Sequence, residues 1–288
     1  MDSIPETINY HFTSACNMRC QYCFAGFTDC HKSSSEEQKA IIRMIAAVPL
    51  SSLSTKPRRI NFVGGEPTIY PNLEELILEA ARYGMRTSIV TNGFNLVAKG
   101  LPPAFQSLEL LGVSIDSLDA VTNLRMGRAV QGRTISAAQW FELFGEAEKI
   151  GLRLKINTVV NAYNKHENMS AFIAEAAPLR WKLFQAMTVE GQNCHSCNDW
   201  VIDGETFGLY VQRHLRAGIK PVVESEAVMR GTYAMISPDG RFFDSTSGCH
   251  LYSEPILKVG IEKAWSQVSF SQEGFNDRTS SYVDKLVK

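Results

Sequence analysis

The sequence predicts an α/β fold, a partial (β/α)6 barrel followed by a C-terminal extension, and two observations carry that expectation. Between residues 8 and 183, short apolar β-rich runs alternate with longer amphipathic segments, the pattern of repeated strand and helix units around a parallel sheet. Only six such units can be counted, against about eight for a closed barrel. An open, curved sheet with room for a large ligand follows.

Strands are placed near 8–13, 59–63, 86–91, 110–116, 153–160 and 180–187. Helices fill the gaps. Over 35–47, Ser35 stands as an N-cap, and Ile41, Ile42, Met44 and Ile45 form one buried stripe. After residue 190 the order changes: a helical stretch over 204–217 precedes short β-like pieces, and Pro238-Asp239-Gly240 reads as a hairpin turn. The expected division is a barrel over 1–190 and an extension over 191–288 packed on it, with no repeat, low-complexity tract or linker between them.

The 288 residues are 44% hydrophobic and 20% charged, enough to bury a substantial core. Lys+Arg at 29 against Asp+Glu at 30 leaves no overall basic field, so a nucleic-acid polymer is not an expected partner and any anion site must be local. The opening Met1-Asp2-Ser3-Ile4-Pro5-Glu6 carries neither a basic region nor an apolar run, and no apolar stretch of about 18 residues follows. A cytoplasmic location is expected.

Seven cysteines stand at 16, 20, 23, 30, 194, 197 and 249, and three of them fall within eight residues, which suits metal ligation better than a disulfide framework. Those three form Cys16-Asn17-Met18-Arg19-Cys20-Gln21-Tyr22-Cys23, directly after the first strand, where barrel folds gather their active sites. Three thiolates on one loop hold three irons of a [4Fe-4S] cluster, and the absence of a fourth cysteine nearby leaves one iron open. Zinc would recruit a fourth Cys or His at short spacing, and none is obvious.

This CxxxCxxC segment, with Tyr22 before its last cysteine, resembles the signature of the radical S-adenosylmethionine (SAM) superfamily. Three more segments fit. Gly64-Gly65-Glu66-Pro67 follows the second strand, where glycines admit a close backbone approach and Glu66 offers an acceptor to the SAM ammonium. Thr91-Asn92-Gly93 ends the third strand and Ser114 lies on the fourth, positions that the resemblance assigns to the SAM ribose and methionine. Arg128 is similar to the partner of the methionine carboxylate. The resemblance implies that an external electron reduces the cluster, SAM is cleaved, and a 5′-deoxyadenosyl radical abstracts a substrate hydrogen.

Strand parity points to the substrate, because side chains two apart share a face. Lys155 and Asn157 oppose Leu154 and Ile156; Arg180 and Lys182 oppose Trp181 and Leu183; Arg59 and Asn61 oppose Ile60 and Phe62; Asn9 joins the polar set. If the apolar partners pack on helices, the polar set lines the interior, where four unneutralised cations would be costly without a bound polyanion. Their number and donors match a triphosphate. A register slipped by one residue would instead turn these charges to solvent.

A closer resemblance runs through 9–13, 155–157, 180–185, 189–193, 201–204, 224–225 and 257–260, to the viperin family. It implies conversion of a ribonucleoside triphosphate (CTP, UTP or GTP) to its 3′-deoxy-3′,4′-didehydro analogue, an antiviral chain terminator, after removal of the 4′ hydrogen. It assigns the nucleotide to Asn9, Arg59, Asn61, Lys155, Asn157, Arg180 and Lys182, and implies a low-potential electron donor of the flavodoxin or ferredoxin type. Two departures from the animal pattern stand out: only residues 1–7 precede the first strand, so no membrane anchor is expected, and 238–240 replaces an aromatic residue beside the nucleotide. Base preference is left open. Two alternatives remain: a peptide-modifying maturase with an auxiliary cluster at Cys194, Cys197 and Cys249, and a non-catalytic nucleotide-binding protein. The roles of these three cysteines and of Cys30 are open.

Overall fold

Ten runs of extended chain pair into one sheet, and the first six are those expected. The computed structural model describes residues 4–27, 32–50 and 57–280; Cys30 and residues 1–3 lie outside them. The strands are β1 (Thr7–Thr13), β2 (Arg59–Gly64), β3 (Arg86–Thr91), β4 (Leu110–Ser114), β5 (Arg153–Val160), β6 (Arg180–Gln185), β7 (Val222–Glu224), β8 (Ala234–Ile236), β9 (Arg241–Asp244) and β10 (Leu251–Pro255). Their order is β10-β9-β8-β1-β2-β3-β4-β5-β6-β7. Pairing is parallel from β8 through β1 to β7, while β9 and β10 are antiparallel. Short strands after residue 190 therefore extend the sheet at both edges.

Between the first six strands lie α1 (Ser35–Ala47), α2 (Leu73–Arg82), α3 (Phe94–Lys99), α4 (Ala120–Arg125), α5 (Ala137–Lys149) and α6 (Ser170–Ala176). Ile8, Tyr10, Phe12, Ile60, Phe62, Ile156, Trp181 and Leu183 are all at most 2% exposed and share one core with Ile41, Ile42, Ile45, Leu76 and Ile77 of the helices. The expected parity holds: the apolar face packs on helices and the polar face turns inward.

The cap of α1 is Ser34, not Ser35. Ser34 and Glu37 have the spacing of a capping box and complete it, the Glu37 carboxylate accepting from the Ser34 N–H at 2.8 Å. Gln38, which Ser35 would have needed, is buried and donates to the Phe12 carbonyl at 2.9 Å, tying α1 to β1. The hairpin turn at 238–240 forms as expected, with Gly240 at φ 72°. It faces α1: the Pro238 carbonyl accepts from Ser33, and a side chain at 240 would meet Ile41.

Candidate active site

A cavity of about 500 Å³ runs along the inner face from the cysteine loop to the first residues of the strands. Ladder register sorts its walls into tiers. Asn9, Asn61, Ser88, Leu110 and Arg153 follow one another across β1 to β5; Gly112, Lys155 and Arg180 form a second row; Ser114, Asn157 and Lys182 form a third. All seven expected nucleotide residues line this one space, as do Cys16, Cys20, Cys23, Tyr22, Gly64, Gly65, Glu66, Thr91, Asn92, Ser114 and Arg128. Residues 238–240 do not line it.

The cysteine loop is held from several sides. The glycines of β2's end serve that purpose: a Cβ at Gly64 would strike the Thr13 carbonyl and one at Gly65 the Ala15 carbonyl. Their small size thus admits the loop's own backbone. Gly127, at φ 77°, does the same against Arg19, while the carbonyls of Gly127 and Met126 accept from Arg19 and Gln21 at 3.0 and 3.1 Å. Asn193 closes the far side, donating to the carbonyls of Tyr22 and Met187 at 3.1 and 3.0 Å and accepting from the Val189 N–H. Gly127→Ala is expected to lower stability by more than about 1 kcal/mol, since alanine is strained at positive φ. Iron content after reconstitution should fall with the melting temperature; unchanged values of both would contradict the clamp.

Burial raises the thiols of Cys16, Cys20 and Cys23, pushing Cys20 up to about 12 even with the Arg128 guanidinium 3.8 Å from its sulfur. Three thiols raised in this way on one loop need a strongly cationic partner to ionise, and an iron cluster supplies one. The residues therefore fit the [4Fe-4S] group, with Cys16, Cys20 and Cys23 as its holders.

Glu66 lines the cavity and is anchored in its wall. It is fully buried and accepts from the Thr68 N–H and hydroxyl at 2.9 and 2.6 Å, the Thr91 hydroxyl at 2.6 Å and the Asn92 N–H at 2.6 Å. Three of these bonds reach Oε1 and one, from Asn92, reaches Oε2. Burial outweighs them and raises its pKa. Glu66 thus locks the second and third strand ends together, and Asn92, whose amide donates to Asn17 at 2.7 Å, links both to the cysteine loop.

Sequence reasoning missed Asp116. It is 1% exposed, accepts from the Tyr22 hydroxyl and from the Val159 N–H at 2.7 Å, and pairs with Arg128 at 2.9 Å. Arg128 also donates to the Ser114 carbonyl at 2.5 Å. Burial disfavours its charge, yet Asp116 and Tyr22 more than restore it, raising the guanidinium above its ordinary value. Asp116→Asn is expected to strand a buried cation at a cost of about 3–5 kcal/mol. For a chain of this size that lowers the melting temperature by roughly 10 °C, read by calorimetry. A melting temperature within a degree of the parent would sink this assignment.

The expectation of four cations without counter-charges is corrected. Arg59 pairs with Glu109 at 2.5 Å, and Lys182 pairs with Glu224. Glu109 also binds Arg86 and Arg153; burial pushes its carboxyl up, but the arginines draw it down to about 2. Glu224 holds Lys182, the Tyr233 hydroxyl and Arg278. Burial lowers Lys182 to about 8 against the pull of Glu224. Lys155 forms no ion pair or side-chain hydrogen bond among the described residues, and burial followed by the charges of Lys182, Arg180 and Arg59 lowers it well below a free lysine. Arg86, Arg153 and Arg278, which also line the cavity, were not expected there. Positive charge still dominates this end.

Cys194, Cys197 and Cys249 lie outside the cavity wall. Cys194 is exposed, and Cys197 packs near Tyr22 and Trp200. Among the described residues no helix is long and apolar enough to cross a membrane.

The Radical SAM superfamily model matches residues 10–173. The chain is 37% identical to the S-adenosylmethionine-dependent nucleotide dehydratase of Lacinutrix mariniflava, over 98% of this chain and 59% of that one. It is 35% identical to the protein of that name from Flammeovirga pacifica, covering 98% and 97%. Against the S-adenosylmethionine-dependent nucleotide dehydratase RSAD2 of Oncorhynchus mykiss it is 31% identical, covering 97% and 80%. Among solved structures, Streptococcus suis SuiB bound to S-adenosylmethionine superposes with a TM-score of 0.66 at 14% identity, over 96% of this chain and 68% of that one, a likeness of fold alone. With its cysteine loop, clamped strand ends and lengthwise relatives, the chain belongs to the radical SAM superfamily and, within it, to the S-adenosylmethionine-dependent nucleotide dehydratases, the viperin family.

Proposed function

We propose that this chain dehydrates a ribonucleoside triphosphate, CTP, UTP or GTP, to its 3′-deoxy-3′,4′-didehydro analogue, an antiviral chain terminator. One observation carries the reading: a single cavity is lined both by the cysteine loop and by Lys155, Arg180 and Lys182. The chain uses one [4Fe-4S] cluster and SAM, as its superfamily does. When reduced, that pair supplies a 5′-deoxyadenosyl radical able to remove a hydrogen from carbon.

The protein's own residues supply orientation. Lys155, Arg180 and Lys182 receive the phosphates, and Arg59 stands two rows further from the cysteines than Lys155 and Arg180. Asn61 donates to Asn9 at 2.7 Å and accepts from Ser88 at 3.0 Å, so each asparagine presents a fixed edge. Tyr22, Thr91, Asn92, Ser114 and Arg128 face SAM, with Gly64, Gly65 and Glu66 fixing the wall behind it. The extension completes the nucleotide site through Tyr233, Met235 and Arg278, which line the same cavity. A flavodoxin- or ferredoxin-type donor in the cytoplasm would deliver electrons.

The test is 5′-deoxyadenosine formation by the reconstituted holoenzyme under reducing conditions. A ribonucleoside triphosphate should stimulate it strongly, and the nucleoside should not. Equal rates with and without any nucleotide would contradict the proposal.

A further inference from the structure

We propose that His11 holds the sugar of the bound nucleotide, with a ring nitrogen hydrogen-bonded to a ribose hydroxyl. This rests on the nucleotide reading of the cavity and adds a residue to it. His11 stands on the inner face of β1, two residues beyond Asn9 and two before Thr13, after which the chain enters the cysteine loop. Two residues of strand span roughly 7 Å. Its ring is therefore one step nearer the cysteines than the Asn9 row.

The ring is 5% exposed, and its Nδ1 is sealed from water with no partner. Neither ring nitrogen makes a hydrogen bond among the described residues. Around it stand the edges of Phe24, Phe27 and Phe243, at centroid distances of 6.0, 5.2 and 5.4 Å and interplanar angles of 83°, 65° and 67°. These rings fix the imidazole's orientation and offer it no hydrogen-bonding atom. The cage closes over Nδ1, so the nitrogen left to meet a ligand in the cavity is Nε2, which has no partner among the described residues.

The chemistry selects a hydroxyl. Burial, and then His250, lowers His11 to about 3, so at neutral pH the ring is uncharged, with one donor and one acceptor. A hydroxyl can donate to Nε2 or accept from it, whichever tautomer is present. A phosphate is served better by the charges of Lys155 and Arg180, level with His11 across the sheet, and of Lys182 one row nearer the cysteines. His11 stands two residues before the end of β1, which leads into the cysteine loop, and the sugar is the group that the proposed reaction acts on.

The test uses the reconstituted holoenzyme with SAM and two variants, His11→Phe, which keeps the ring volume, and His11→Gln, which keeps a donor and an acceptor. Calorimetry is run with a ribonucleoside triphosphate, its 2′-deoxy and 3′-deoxy counterparts, and inorganic triphosphate, after iron content is shown to match the parent. His11→Phe should weaken the ribonucleotide roughly three- to tenfold, with partial recovery in His11→Gln. Inorganic triphosphate should bind all three proteins alike. For one of the two deoxy analogues the difference between parent and His11→Phe should vanish. Equal ribonucleotide affinity in parent and His11→Phe overturns the proposal, as does a deoxy penalty of the same size in both. Failure of the parent to bind inorganic triphosphate or the ribonucleotide would instead bring down the nucleotide reading, and His11's role with it.

Discussion

Replacing any one of Cys16, Cys20 or Cys23 by alanine should abolish cluster absorbance and SAM cleavage together. Three thiolates are the smallest set that holds such a cluster, and these three are the cysteines that line the cavity. Iron analysis and 5′-deoxyadenosine formation check the outcome; full iron content in any of the three variants would sink the assignment. Cys194→Ala and Cys197→Ala should keep both, since the 194–197 segment contributes nothing to that wall. Loss of iron in those two, or about eight irons per chain where about four are expected, would revive the auxiliary-cluster alternative.

The second large effect concerns the cations. Lys155→Met should weaken triphosphate binding by roughly tenfold or more, because a charged hydrogen bond to phosphate contributes about 1.5–3 kcal/mol. The same change should stabilise the ligand-free protein, since it removes a buried charge without a carboxylate partner. Lys182→Ala and Arg180→Ala should also lose at least about tenfold in affinity, but Lys182→Ala should be destabilised, because it deprives the buried Glu224 of a partner. Opposite thermal shifts in Lys155→Met and Lys182→Ala, read by calorimetry, separate the paired lysine from the unpaired one. A triphosphate bound as tightly by Lys155→Met as by the parent would contradict the phosphate assignment.

The pH dependence has a definite sign. Lys155 and Lys182 both lie below the ordinary lysine value of 10.5 in the folded protein, so the unfolded chain binds more protons there. Stability of the ligand-free protein due to these groups rises with pH between the lowered values and 10.5, a window starting at about 8 for Lys182. A bound polyanion favours the charged lysines, so nucleotide binding in mildly alkaline buffer takes up protons. Heats measured in buffers of different ionisation enthalpy report that uptake.

The six central strands and the inward polar face were legible because alternation along 153–160 and 180–185 has the strand period of two, and the apolar partners are large enough to fix the register. The cysteine, Gly-Gly-Glu-Pro and Thr-Asn-Gly segments were legible as motifs, but the work of Glu66 was not, since its four partners converge only in three dimensions. Counter-ions escaped for a similar reason. Glu109 precedes an apolar strand and reads as a loop charge, while Glu224 sits on a strand of three residues with little periodicity. Asp116 and Asn193 bond mainly to backbone and to residues distant in sequence, which leaves no spacing signature. His11, two residues from Asn9, has the parity of the inner face but was not singled out, since only its aromatic surroundings show that its nitrogens lack partners among the described residues.

The central claim, that one cavity presents the sugar of a nucleoside triphosphate to the radical chemistry, is tested most directly by anaerobic turnover of the holoenzyme with SAM, dithionite and each of the four ribonucleoside triphosphates, with products read by mass spectrometry. At least one triphosphate should yield a nucleotide lighter by one water, with 5′-deoxyadenosine formed in step and with label transferred from a deuterated 4′ position. Recovery of all four triphosphates unchanged, from enzyme that carries its cluster and cleaves SAM, would contradict it.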